Sequence, residues 1–210
     1  MATPALELRE LGCVRSGRAV FSGLNLSLPP GCLLRVTGAN GAGKTSLLRM
    51  VCGLLRPERG EVLWQGQGIA ALREDFHRQL VYIGHAAALK DDLSASENLR
   101  VAAHLAGFDA DEARADAALA AIGLQGVERR PVRSLSQGQR RRVALARLVL
   151  AGDAALWVLD EPFNALDAAA AAWLVHLLAA QVQRGGLVLL TSHGTEPAFA
   201  ATMPQSELAL

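Results

Sequence analysis

Lysine is nearly absent from this chain. Of its 21 basic residues only Lys44 and Lys90 are lysines, so a lysine inside a motif stands out. An excess of charge of one sign is also lacking, since the formal net charge is +1. That argues against a nucleic-acid wrapper, whose affinity comes from many Lys and Arg side chains on phosphates. Cysteine is limited to Cys13, Cys32 and Cys52. An odd, widely spaced set builds neither a disulfide framework nor a C-x-x-C metal site, and reduced thiols in a cytoplasmic setting are expected. Long apolar runs are missing too. A membrane helix needs about 20 predominantly apolar residues; the nearest candidate, 168–182, is shorter, follows Asp167 and contains His176 and Gln181. The first ten residues lack a basic segment followed by an apolar one, so no secretory signal is expected.

What is present is a core-forming composition, 51% hydrophobic over 210 residues. That suits one domain and argues against disorder. Apolar strand patterns are expected at 6–11, 24–28, 32–37, 61–64, 79–83, 155–159 and 187–191, with helices at 46–55, 94–107, 111–124, 137–150 and 167–183. Ser94 or Ser96 is a candidate cap. The continuous apolar runs ALWVL and LVLLT are the pattern of strands covered on both faces. Strands alternating with helices predict an α/β fold with a mainly parallel sheet. The segment from about 86 to 135 reads as a helical insertion into a single domain spanning 1–210.

Gly38, Ala39, Asn40, Gly41, Ala42, Gly43, Lys44 and Thr45 match G-x-x-x-x-G-K-[ST], between an expected strand and an expected helix. Glycines allow backbone N–H groups to approach phosphate oxygens, and the helix start adds its positive end. Lys44 supplies a charge for the β- and γ-phosphates, and Thr45 offers a hydroxyl to Mg²⁺. This motif implies a nucleoside triphosphate without choosing among kinase, GTPase and ATPase.

Three further segments complete a candidate site. The strand ending at Leu159 releases Asp160, suited to a Mg²⁺-bound water, and Glu161, a candidate general base. The run Leu135-Ser136-Gln137-Gly138-Gln139 opens a helix, where Ser136 and Gly138 can meet a second phosphate surface; Ser136 also reads as an ordinary N-cap. Two cradles for one γ-phosphate suggest head-to-tail use in a dimer. His193 follows the 187–191 strand, at the edge where α/β sheets bind ligands.

Together these motifs resemble the nucleotide-binding subunit of ABC transporters over nearly the whole chain. Residues 38–45 are similar to Walker A, 135–139 to the ABC signature, 156–161 to Walker B, 164–167 to the D-loop, and His193 to the switch histidine. The resemblance implies a P-loop NTPase with a RecA-like core, an antiparallel β-subdomain and a helical subdomain. It implies ATP and Mg²⁺ as ligands, with Ser46 closing the phosphate-binding run. It also implies a homodimer with two ATP molecules at its interface, where Ser136 and Gly138 meet the partner's nucleotide. Three positions depart from the pattern: Gln137 replaces a signature glycine, His85 stands at the Q-loop glutamine, and Arg15 stands where an aromatic often stacks on adenine. A guanidinium can stack there instead.

The runs GEVLWQGQ at 60–67, IGH at 83–85, SENL at 96–99 and QRRRVALAR at 139–147 resemble the ATP-binding subunits of haem exporters of cytochrome c maturation. That subgroup implies integral membrane subunits as partners, no nucleic acid, and a peripheral position on the cytoplasmic face of the bacterial inner membrane. The competing expectations are the ATP-binding subunit of another ABC exporter, a soluble ABC-type ATPase acting on nucleic acid, and an ATP sensor without turnover.

Overall fold

The computed structural model describes residues 4–108, 110–152, 154–192, 198–200 and 203–210. Its first sheet is antiparallel. Strands β1 (Leu6–Arg15) and β2 (Arg18–Leu28) form a hairpin; β3 (Leu33–Thr37) leaves for the second sheet; β4 (Arg59–Trp64) and the short β5 (Gln67–Gly68) complete the order β2-β1-β4-β5. Both hairpin strands run longer than their apolar cores predict, because only part of each is buried.

The second sheet takes in β6 (Leu80–Ile83), β7 (Leu156–Leu159), β8 (Leu187–Thr191) and β9 (Gln205–Ala209), in the order β6-β7-β8-β3-β9. Every pairing in it is parallel. Alternation across each strand divides its side chains between two cores. Leu34, Val36, Leu156, Val158, Leu187 and Leu189 face the antiparallel sheet, with helices α1 (Lys44–Val51) and α2 (Ile69–His77). Leu33, Trp157, Leu159, Val188 and Leu190 face the opposite layer. That layer contains α3 (Ala95–Leu105), α4 (Glu112–Ala121), α5 (Gln137–Leu150) and α6 (Ala168–Gln183). Burial on both faces explains why 156–159 and 187–190 are uninterrupted apolar runs.

The helix expected to reach residue 55 ends at Val51. Gly53 follows at φ +71°, which helical backbone does not adopt. Helix α2 and strand β9 are absent from the sequence expectations. Phe76 is the buried residue of α2, and most of β9 is exposed, so neither has a strong apolar pattern. Ser94, not Ser96, caps α3: its hydroxyl accepts from Glu97 N–H at 3.2 Å while Glu97 accepts from Ser94 N–H at 2.8 Å. Among the described residues, no helix is long and apolar enough to cross a membrane.

Candidate nucleotide site

The candidate residues gather at the C-terminal edge of the parallel sheet, where ligands of open α/β folds bind. Strand β3 leads into the glycine-rich loop, β6 into Gly84 and His85, β7 into Asp160 and Glu161, and β8 ends at Thr191. The order β6-β7-β8-β3 sets β8 between the carboxylates and the loop.

Glycine meets both a left-handed backbone and a close approach at two positions of the loop. Gly38 has φ +142°, and Gly43, just before α1, has φ +103°. A Cβ on residue 43 would lie 2.5 Å from Val20 Cγ1 and 3.1 Å from the Phe21 ring, so β2 packs directly on the backbone there. Lys44 is buried and donates from Nζ to the carbonyls of Gly38 at 2.7 Å and Ala39 at 3.2 Å. Its ammonium thus folds back along the loop, within the cradle a phosphate would occupy. A concavity of about 290 Å³ is lined by Asn40, Gly41, Gly43, Lys44, Thr45 and Ser46 of the loop, with Arg15, Val20 and Glu161 around them. Arg15 therefore borders the phosphate loop. Ser136 and Gly138 are not among the lining residues.

Asp160 is buried, and both of its oxygens are engaged. Thr45 Oγ1 donates to Oδ2 at 2.8 Å, and Thr191 Oγ1 donates to Oδ1 at 2.7 Å. The same Thr191 hydroxyl accepts the N–H of Glu161 at 2.7 Å. Glu161 sits at φ +49°, a left-handed conformation that costs a non-glycine residue about 1–3 kcal/mol. Its Oε2 accepts from Asn164 Nδ2 at 2.5 Å and lies 3.4 Å from His85 Nδ1. The structure thus brings His85 to the carboxylate through an exposed ring on a loop. Among the described residues, no group of three or more His, Cys, Asp or Glu is placed to hold a metal ion. His193 lies outside the described residues.

Ser136 caps α5. Its hydroxyl accepts from Gln139 N–H at 3.2 Å while Gln139 Oε1 accepts from Ser136 N–H at 3.0 Å, a capping box. The capping role leaves the serine proton free to donate elsewhere. Gly138 packs against the 164–167 turn: a Cβ there would lie 2.8 Å from Ala165 O. Arg142 reaches Asp167 at 3.9 Å from the same helix.

Sequence reasoning missed Thr191 and Arg141. Thr191 is the polar last residue of an apolar strand, a signal available in LVLLT. Arg141 stands three, four and seven residues before Ala144, Leu145 and Leu148, all fully buried. That spacing puts it on the core face of α5.

The family model described as ABC transporter matches residues 21–164. The chain belongs to the ABC transporter family. It is 53% identical over 196 residues to the cytochrome c biogenesis ATP-binding export protein CcmA of Aromatoleum aromaticum, covering 93% of this chain and 92% of that one. It is 54% identical over 183 residues to the protein of that name from Methylococcus capsulatus, covering 87% and 88%. A solved structure titled as an ATP-binding subunit of an ABC transporter superposes with a TM-score of 0.81 at 27% identity, over 90% of this chain and 80% of that one. An ABC transporter ATP-binding protein from Pyrococcus furiosus shares the fold, with a TM-score of 0.80 at 24% identity over 97% and 96%. An ABC-type, ATP-hydrolysing domain follows from this membership.

Proposed function

We propose that this chain is the ATP-hydrolysing subunit of an export complex of cytochrome c biogenesis that handles haem. It works as a homodimer with integral membrane subunits, peripherally on the cytoplasmic face of the inner membrane. The observation that carries the ATPase chemistry is the 2.8 Å contact between Thr45 and Asp160, which joins the phosphate loop to the carboxylate corner. The export assignment is supported by relatives named for that role across about nine-tenths of the chain.

In this reading, Lys44 leaves the Gly38 and Ala39 carbonyls for the β- and γ-phosphates, and the loop N–H groups take the remaining oxygens. Arg15 stacks on the base. The donor set suits Mg²⁺: Thr45 would hold it directly and Asp160 through water, since this ion keeps several waters. Bound there, Mg²⁺ supplies neutralisation of charge on the phosphates. Glu161 accepts a proton from the attacking water, with His193 and His85 beside the γ-position. Ser136 donates its hydroxyl proton, and Gly138 its N–H, to the nucleotide of the second copy. Shifting such a dimer from 1:99 to 99:1 needs about 5.5 kcal/mol of differential binding. Hydrogen bonds to charged groups contribute about 1.5–3 kcal/mol each, so a few suffice.

Two variants made in one complex test the arrangement. Lys44→Ala and Ser136→Ala should each lack turnover alone. Co-assembled, they leave one composite site intact, and turnover should partly return. No recovery would reject the head-to-tail dimer. Purification of the detergent-extracted complex should bring integral membrane subunits along. Their absence, with salt-dependent RNA or DNA binding, would favour a nucleic-acid ATPase.

A further inference from the structure

Helix α5 is capped by Ser136, yet its deepest polar contact is elsewhere. Arg141 is 7% exposed. Its Nη2 donates to the carbonyls of Asp160 at 2.8 Å and Glu161 at 2.9 Å, its Nη1 to Gly84 O at 2.9 Å, and its Nε to Pro162 O at 3.4 Å. All four acceptors are main-chain carbonyls. Three are consecutive at the exit of β7, and the fourth is at the exit of β6. Burial pulls the guanidinium pKa down, while the Asp160 and Glu161 carboxylates pull it back up.

We propose that Arg141 is a positioning residue for hydrolysis, which fastens the Glu161 turn to the helix that opens with Ser136. The proposal rests on the reading of Glu161 as general base. Glu161 holds a left-handed backbone, which persists only where its surroundings over-determine it. Arg141 fixes three successive carbonyls across that turn, and Thr191 fixes the Glu161 N–H. The same guanidinium holds Gly84, next to His85, so it sets both sides of the His85–Glu161 contact. Arg141 lies about 7.5 Å along the axis of α5 from Ser136. Movement of the helix start on nucleotide contact is thereby passed to the carboxylate without passing through the phosphate loop. Only a planar fork of donors spans these carbonyls. A lysine, whose three donors share one nitrogen, cannot.

The test uses Arg141→Lys and Arg141→Gln in the assembled membrane complex. We expect kcat to fall by roughly 100-fold, the scale of an ångström-level misplacement. KM for ATP and the affinity for trinitrophenyl-ATP should stay within about threefold, because the hydrogen bonds of Arg141 go to the exits of β6 and β7, not to the phosphate loop. In a Glu161→Gln background, adding Arg141→Lys should lower residual single-turnover hydrolysis no further, because both changes act through one group. Unchanged kcat with only a lower melting temperature would overturn the proposal. So would a multiplicative loss in the double variant. If both variants lose nucleotide binding and melt early, Arg141 is a core-stability residue and the proposal fails. Wild-type turnover in Glu161→Gln alone would remove the general base itself, a failure distinguishable from all of these.

Discussion

The phosphate loop and the carboxylate corner are neighbours built in opposite ways. The loop is local: its eight residues are contiguous, and Lys44 bonds to carbonyls only five and six residues away. The corner is assembled from afar. Asp160 is held by Thr45, 115 residues away, and by Thr191, 31 residues away, while Arg141 bonds to the Asp160 and Glu161 carbonyls 19 and 20 residues further along the chain. The bonds that Lys44 makes therefore lie within one short segment, with β2 packed on Gly43 as the loop's outside wall. The hydrolytic corner exists only once several strands and α5 have packed. Binding and turnover should accordingly fail separately.

The sharpest break is Glu161→Gln. It should cost turnover about 10²–10⁴-fold, the usual contribution of a general base, and leave nucleotide affinity in place. Equilibrium binding alongside phosphate release checks this, and lost binding would merge the two regions. Gly43→Ala attacks the local half. The new Cβ meets Val20 at 2.5 Å and needs φ +103°. Overpacking of about 1–3 kcal/mol adds to about 1–2 kcal/mol of left-handed strain, and affinity should fall with stability, read by denaturant titration. Thr191→Val keeps the shape but leaves Asp160 Oδ1 and the Glu161 N–H without their partner. A loss of about 1–3 kcal/mol is expected, with kcat falling more than affinity. The mildest change is Ser94→Ala, which removes the α3 cap, costs about 1 kcal/mol and leaves turnover alone.

The same cap has a pH signature. Acceptance of the Ser94 backbone N–H, then of its side-chain hydrogen bond, holds the Glu97 carboxyl below its ordinary range. Its contribution is present above the unfolded-state pKa and is lost as pH falls through the folded one. The stability gap between wild type and Glu97→Gln, measured by acid titration, should therefore narrow as pH falls. A constant difference down to low pH would reject the linkage.

The sheet strands were legible where burial on both faces forces unbroken apolar runs, as in 156–159 and 187–190. Strand β9 was not, because exposed edge residues bear little apolar signal. Within the site, the loop could be read residue by residue. So could the positions of Asp160 and Glu161, since each follows a recognisable strand. Thr191 and Arg141 could not be assigned in the same way. Their significance lies in partners far along the chain, and a single sequence does not state which strand lies between which others. Ser136 was legible as a cap, which the capping box with Gln139 displays.

The close seating of Val20 on Gly43 bears on how this sequence can change over generations. Positions 20 and 43 share one volume, so bulk admitted at one must be surrendered at the other. Lineages selected for recovery from a damaged residue 43 should therefore regain part of the loss through replacements in the β1–β2 hairpin, with the backbone strain at position 43 left uncorrected.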